Sequence, residues 1–133
     1  MITIILVDDQ PAVRKGLRMR LELEAELQVV GEAGNGHEAL DLISRLHPEI
    51  VLMDMEMTGM NGPEATEKVL TIAPDSKVII LTIHDDEISR EQARRSGAAA
   101  FISKHADDMI LLHTIRGLAS RSRRNSDTSQ SER

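Results

Sequence analysis

The stretch EIVLMDMEMTGMNGP, residues 49–63, decides the fold. Its opening segment, Glu49–Met53, is a nearly continuous apolar run, which is how a strand buried on both faces of a parallel sheet reads. Asp54 stands where that strand ends. Gly62-Pro63 then opens a helix, because proline suits a first helical turn, where its missing N–H has no partner to lose. Strand, acidic loop end and helix start thus follow one another within a few residues.

The same order repeats along the chain. ITIILV at Ile2–Val7 and KVIILT at Lys77–Thr82 have the same apolar character, and Gln28–Glu32 and Ala99–Ser103 complete five strand candidates. Between them lie helical patterns with their own punctuation. Pro11 starts one with Val13, Leu17 and Leu21 on a face; Asn35-Gly36 precedes Ala39, Leu40, Ile43 and Leu46, closed by Pro48. A third carries Ala65, Val69 and Ile72 and is closed by Pro74. Asp85 is the expected cap of a fourth that stops at Gly97, and Asp107 of a fifth with Met109, Leu112, Ile115 and Ala119 inward. The fourth has the poorest apolar face, little beyond Ile88 and Ala93, and should be the most loosely held. Strict βα alternation predicts an α/β fold: a five-stranded parallel sheet, order 2-1-3-4-5, flavodoxin-like and doubly wound. Residues 1–119 form the domain; 120–133, without apolar periodicity, read as disordered linker.

Composition narrows the function. The chain has 133 residues, a formal charge of -6 and no cysteine, so disulfides, thiolate metal sites and thiol catalysis are excluded. Phe101 is the only aromatic residue among Phe, Tyr and Trp, which removes base stacking, and the net charge argues against gripping a phosphate backbone. Arg121, Arg123 and Arg124 form a short basic run of the kind that usually only solvates a tail. No apolar stretch approaches the roughly 18 residues of a membrane span, and nothing resembles a signal peptide, so the expected compartment is the cytoplasm, with no membrane partner.

In sheets of this kind ligands bind beyond the carboxyl ends of the strands, at the switch point between strands 1 and 3. Those strands end in Asp8-Asp9 and in Asp54, and neighbouring strands lie about 4.8 Å apart, so three carboxylates converge. Like charges so crowded call for a cation, and an oxygen-only site suits Mg²⁺. Acidic residues also solvate loop ends and cap helices, and Asp9 is placed to cap the Pro11 helix; two acidic loops meeting at one switch point outweigh that reading. Thr82 ends strand 4 and Lys104 follows strand 5 on the same edge, a hydroxyl donor and a cation for phosphoryl oxygens. Nucleophile, metal seat, donor and cation make a phosphoryl-transfer site without a nucleotide-binding loop. His37, His47 and His113 lack ligand spacing, and Met55, Met57 and Met60 read as flexible packing.

VDD at strand 1, LMDMEMTGMNG after strand 3, LT at strand 4 and SK at strand 5 together resemble the response-regulator receiver domain of two-component systems; FISKHA and LTIHDDE are similar to its NarL/FixJ (LuxR-type) subfamily. The resemblance covers residues 1–119. It implies that Asp54 accepts phosphate from a sensor histidine kinase, that Asp8, Asp9 and Asp54 with the backbone carbonyl of Glu56 hold Mg²⁺, and that Thr82 and Lys104 contact the phosphoryl group. It makes Phe101 the switch aromatic coupled to Thr82, and places Glu56 and His84 where the lifetime of the phosphorylated state is tuned. It further implies a chain that is not an enzyme beyond self-phosphorylation and slow self-dephosphorylation. A helix-turn-helix output domain beyond the linker would control transcription, with DNA bound only through that domain and a second copy of the chain as a candidate partner. Thr58 and His105 stand where many receivers have proline, and Phe101 lacks the hydroxyl of the commoner tyrosine.

Three other functions compete. Asp54-Met55-Glu56-Met57-Thr58 mimics the DxDxT box of haloacid-dehalogenase-like phosphatases, but there the box follows the first strand and the acidic metal pair comes late. A flavin binder needs a small, hydroxyl-rich loop after strand 1, where VDDQPA would repel phosphate. A stand-alone receiver acting by protein docking is the third.

Overall fold

The computed structural model describes the backbone of residues 1–131 and the side chains of residues 1–120. Strands and helices alternate throughout: β1 (Ile2–Val7), α1 (Pro11–Leu21), β2 (Leu27–Ala33), α2 (Gly36–Leu46), β3 (Ile50–Asp54), α3 (Gly62–Ile72), β4 (Lys77–Thr82), α4 (Glu87–Arg95), β5 (Ala100–Ser103) and α5 (Asp108–Ser131). All strand pairs are parallel and the sheet order is β2-β1-β3-β4-β5, as the alternation predicts.

The two-residue period of a strand divides the core between the sheet's faces. Ile4, Leu6, Leu52, Ile79 and Leu81 pack with Leu21 of α1 and with Leu112 and Ile115 of α5. Ile5, Val7, Val51, Met53 and Ile80 pack on the other side with Ala39 and Ile43 of α2, Ala65 and Val69 of α3, and Ala93 of α4. Both faces are covered, which is why these strands read as continuous apolar runs rather than as alternating ones.

Side-chain caps start four of the helices, and Asp107, as expected, caps α5 by accepting from Met109 N–H at 2.8 Å. Asn35 and Asn61 accept hydrogen bonds from Glu38 N–H (2.9 Å) and Glu64 N–H (2.8 Å). The cap of α4 is Asp86, not Asp85: its carboxylate accepts from Ser89 N–H at 2.7 Å, while Asp85 turns to Arg90. Asp9 does not cap α1 either. That helix has no side-chain cap, because Gln10 and not Asp9 occupies its N-cap position, and it is Asp8 that accepts from Gln10 N–H at 2.9 Å.

Three apolar residues expected inward lie outside. Leu46, Ile72 and Met109 are 43%, 41% and 59% exposed, each in the terminal turn of its helix. The weak anchoring of α4 is as expected, since Ala93 is its one buried residue and Ile88 is 74% exposed. α5 runs on to Ser131 across the segment expected as disordered linker. No proline and, after Gly117, no glycine interrupts the backbone ladder there. The side chains of Arg121, Arg123 and Arg124 lie outside the described residues. Among the described residues no helix is long and apolar enough to cross a membrane.

Candidate functional site

The carboxyl ends of β1, β3, β4 and β5 open into a cleft of about 430 Å³ lined by Asp9, Gln10, Val13, Asp54, Glu56, Met57, Thr58, Thr82, Ile83 and Lys104. Asp54 is the last residue of β3, and Asp8 and Asp9 follow β1 directly. One oxygen from each of Asp8, Asp9 and Asp54 lies within 4.8 Å of the others. Asp8 and Asp54 are buried, whereas Asp9 is exposed at the mouth. Among the described residues this is the one group of three acidic or histidine side chains so close together, and its all-oxygen donor set suits a hard divalent cation rather than zinc.

Lys104 reaches into the cluster from the end of β5. Its Nζ lies 2.9 Å from Asp8 Oδ2 and 3.1 Å from Asp54 Oδ1, with only 18% of the side chain exposed. Burial lowers the pKa of this ammonium, but the hydrogen bonds to the two carboxylates outweigh burial and hold it above its ordinary value. Asp54 shifts in the same direction for the opposite reason. Burial and the Asp8 charge push its pKa up, and Lys104 and the Glu56 N–H (3.4 Å from Oδ1) pull it only part of the way back. Two carboxylates sharing one cation leave Asp54 short of positive charge.

Thr82 is buried at the end of β4, but its hydroxyl is engaged locally, accepting from His84 N–H at 2.9 Å and donating to the His84 carbonyl at 3.1 Å. Glu56 and His84 face each other across the mouth, with Nε2 and Oε1 3.6 Å apart and both side chains more than half exposed. Phe101 is half-buried on β5 beside α4, and the Arg90 guanidinium lies 5.2 Å from its ring centroid. Arg90 also pairs with Asp85, so this cation ties the β4–α4 loop to the ring.

Three contributors escape a reading of the sequence. Gly62, taken there only as a helix opener, lies so close to the site that a Cβ on it would sit 2.4 Å from the Asp54 carbonyl oxygen and 2.9 Å from Met55 Cα. Its N–H donates to the Met55 carbonyl at 2.9 Å, which fastens the first turn of α3 to the end of β3. The Asn61-Gly62-Pro63 run was the available signal. Arg14 and Arg90 look like members of polar helix faces, and nothing in their spacing tells that one reaches the Asp8 carbonyl and the other the Phe101 ring.

An acidic triad and a lysine at one edge of a sheet of order β2-β1-β3-β4-β5 define a class, and residues 4–116 match the response regulator receiver domain family. The chain belongs to that family. It is 39% identical over 117 residues to the response regulator GacA of Pseudomonas aeruginosa, covering 87% of this chain and 54% of GacA. It is 38% identical over 120 residues to the response regulator UvrY of Escherichia coli, covering 90% of this chain and 55% of UvrY. Among solved structures, the signal receiver domain of the response regulator NarL from Mycobacterium tuberculosis superposes with a TM-score of 0.80 at 29% identity, covering 92% of this chain and 96% of that one. The chain spans about half the length of the curated relatives it matches. Family membership, rather than the phosphatase-like box at 54–58, accounts for an acidic pair that precedes the lone aspartate.

Proposed function

We propose that this receiver domain takes a phosphoryl group on Asp54 from the phosphohistidine of a sensor kinase and changes conformation in response. The observation that carries this is the position of Lys104 between Asp8 and Asp54, in a cluster where Asp54 lacks enough positive charge. In the transfer an Asp54 carboxylate oxygen forms a bond to phosphorus as the P–N bond to the kinase imidazole breaks, and the imidazole leaves with the electron pair. Lys104 exchanges its contact with Asp54 for a phosphoryl oxygen, a charge-assisted pair. Asp8, Asp9, Asp54 and the Glu56 carbonyl would hold Mg²⁺, which supplies charge neutralisation of the phosphoryl oxygens. Glu56 and His84, at the mouth, control access of water and so the lifetime of the product. Acetyl phosphate with Mg²⁺ should add one phosphoryl group, labile to base and hydroxylamine; a stable or absent label would sink this reading.

Metal binding precedes phosphate in this scheme. Asp9→Ala should weaken Mg²⁺ or Mn²⁺ binding substantially in the absence of phosphate, followed by amide shifts of residues 8, 9 and 54. Perturbation confined to the histidines would place the metal elsewhere.

Switching runs through Thr82 and Phe101. The Thr82 hydroxyl, now spent on the His84 backbone, turns toward the phosphoryl group, and Phe101 follows into the vacated space. Leaving the Arg90 guanidinium frees α4, whose one buried residue is Ala93. Thr82→Ala and Phe101→Ala should therefore still be phosphorylated but lose most of the response of residues 84–97 and 107–119 to beryllofluoride. Wild-type shift patterns in both variants would remove the coupling from the scheme. The subfamily of the relatives further supports a linker after residue 119 and a helix-turn-helix output controlling transcription in the cytoplasm, with DNA bound by that output alone. Comparing the chain with and without such a domain in a DNA-binding assay tests this.

A further inference from the structure

Asp8 is held at more points than a metal ligand needs. Its N–H donates to the Ala33 carbonyl at 3.1 Å, and its carboxylate meets Gln10 N–H at 2.9 Å and Lys104 Nζ at 2.9 Å. Its carbonyl oxygen also accepts from Arg14 Nη1 at 2.6 Å. That carbonyl belongs to the peptide plane joining Asp8 to Asp9. Its direction sets where the next Cα lies, and with it the angle between the two carboxylates.

Arg14 is itself held. Its Nε donates to Glu32 Oε1 at 3.2 Å, and the other Glu32 oxygen is taken by Arg18 Nη1 at 2.5 Å. Arg18 in turn donates to the Val29 carbonyl at 3.1 Å. The Arg14 and Glu32 side chains are 19% and 25% exposed, so the pair is largely covered. A continuous brace runs from the Asp8-Asp9 peptide through α1 to the edge strand β2. A surface ion pair kept for stability would end on side chains; this one ends on the backbone between two acidic residues.

We infer that Arg14 is a positioning residue for the divalent cation, acting through the Asp8-Asp9 peptide plane. The inference rests on the proposed Mg²⁺ site. Charge and position make opposite predictions here, which makes the idea testable. A guanidinium beside a cation site repels the cation, so by charge alone Arg14→Gln should tighten Mg²⁺ binding. By position it should loosen it, and outer-shell partners of metal ligands typically contribute about tenfold or more in affinity.

The experiment is a Mg²⁺ titration of residues 1–133, read by the amide shifts of residues 8, 9 and 54 and by free Mn²⁺ in electron paramagnetic resonance. Arg14→Gln should raise Kd about tenfold. Arg14→Lys keeps the charge but cannot span both the carbonyl and Glu32, so it should weaken binding in the same direction. Glu32→Gln releases the anchor; it should weaken binding in the wild-type background and add nothing in Arg14→Gln. If Arg14→Gln does not fold, Arg14→Lys and its double variant with Glu32→Gln carry the test. Unchanged or tighter binding in the Arg14 variants, or independent additive losses with Glu32, overturns the inference while the Mg²⁺ site stands. A wild-type chain that binds no Mg²⁺ at Asp8, Asp9 and Asp54 removes both.

Discussion

Asp54→Asn will carry no acyl phosphate after exposure to acetyl phosphate and Mg²⁺, at a time when the wild-type chain is labelled. The substitution keeps the shape of the side chain but replaces the attacking oxyanion with an amide. Asp8 and Asp9 remain in the cluster, so the experiment separates nucleophile from metal seat. Equal labelling of the variant would put the acceptor elsewhere. The same substitution has a second, metal-free consequence whose sign follows from the raised pKa of Asp54. A carboxyl that binds its proton more tightly in the folded than in the unfolded chain adds stability at acid pH. That contribution is lost as pH rises from the ordinary aspartate value, about 3.9, through the higher folded value. Without metal, ionising Asp54 therefore weighs against the fold. Asp54→Asn should be the more stable protein in chelator, and the gap should close as Mg²⁺ is added to the wild type. Thermal unfolding with and without Mg²⁺ reads this; a variant less stable than wild type in chelator contradicts it.

Gly62→Ala should be the most damaging conservative change in the domain. The added Cβ meets backbone, the Asp54 carbonyl oxygen at 2.4 Å and Met55 Cα at 2.9 Å, so no side chain can step aside. Overpacking of this kind costs about 1–3 kcal/mol, a large part of a small domain's stability. What yields is the end of β3 or the first turn of α3, so phosphorylation of Asp54 should slow as well. Gly36→Ala is the control. There the new Cβ would meet the Met60 side chain, with Sδ at 2.6 Å and Cβ at 3.0 Å; the thioether can rotate away and the Cβ need shift only by a few tenths of an ångström. Urea unfolding and labelling rates of the two variants decide the matter, and a Gly62→Ala chain as stable as Gly36→Ala would show that α3 does not lean on the acceptor.

Much of this was legible in the residues themselves, for identifiable reasons. Strands covered on both faces must be apolar throughout, so ITIILV and KVIILT announce a parallel sheet without any alignment. Strand order then brings Asp8, Asp9, Asp54 and Lys104 to one edge, because each stands at or just beyond a strand's carboxyl end. Helix details were harder. Asp85 and Asp86 are adjacent and equally fit to cap, and only the pairing of Asp85 with Arg90 decides between them. Met109 fits the apolar period of α5 yet is 59% exposed in the first turn of that helix. Arg14, Gly62 and Arg90 act through contacts with backbone or ring atoms about six to eleven residues away, outside the helical and strand spacings that a periodicity detects.

Phe101 has a consequence for how this domain can be watched. Tyr and Trp are absent, so the chain contains one phenyl ring and five imidazoles and is nearly transparent above the peptide absorption. In deuterated water, once the N–H protons have exchanged, the same scarcity leaves only that ring and the histidines in the aromatic region of its proton spectrum. The Arg90 guanidinium carbon lies over the ring face, 5.2 Å from its centre, where the ring current displaces the resonances of that end of the side chain upfield. A ring that turns inward would return those resonances to their ordinary positions and displace core methyl groups instead. Phosphorylation could then be followed in real time on unlabelled protein, in one dimension, from a single residue.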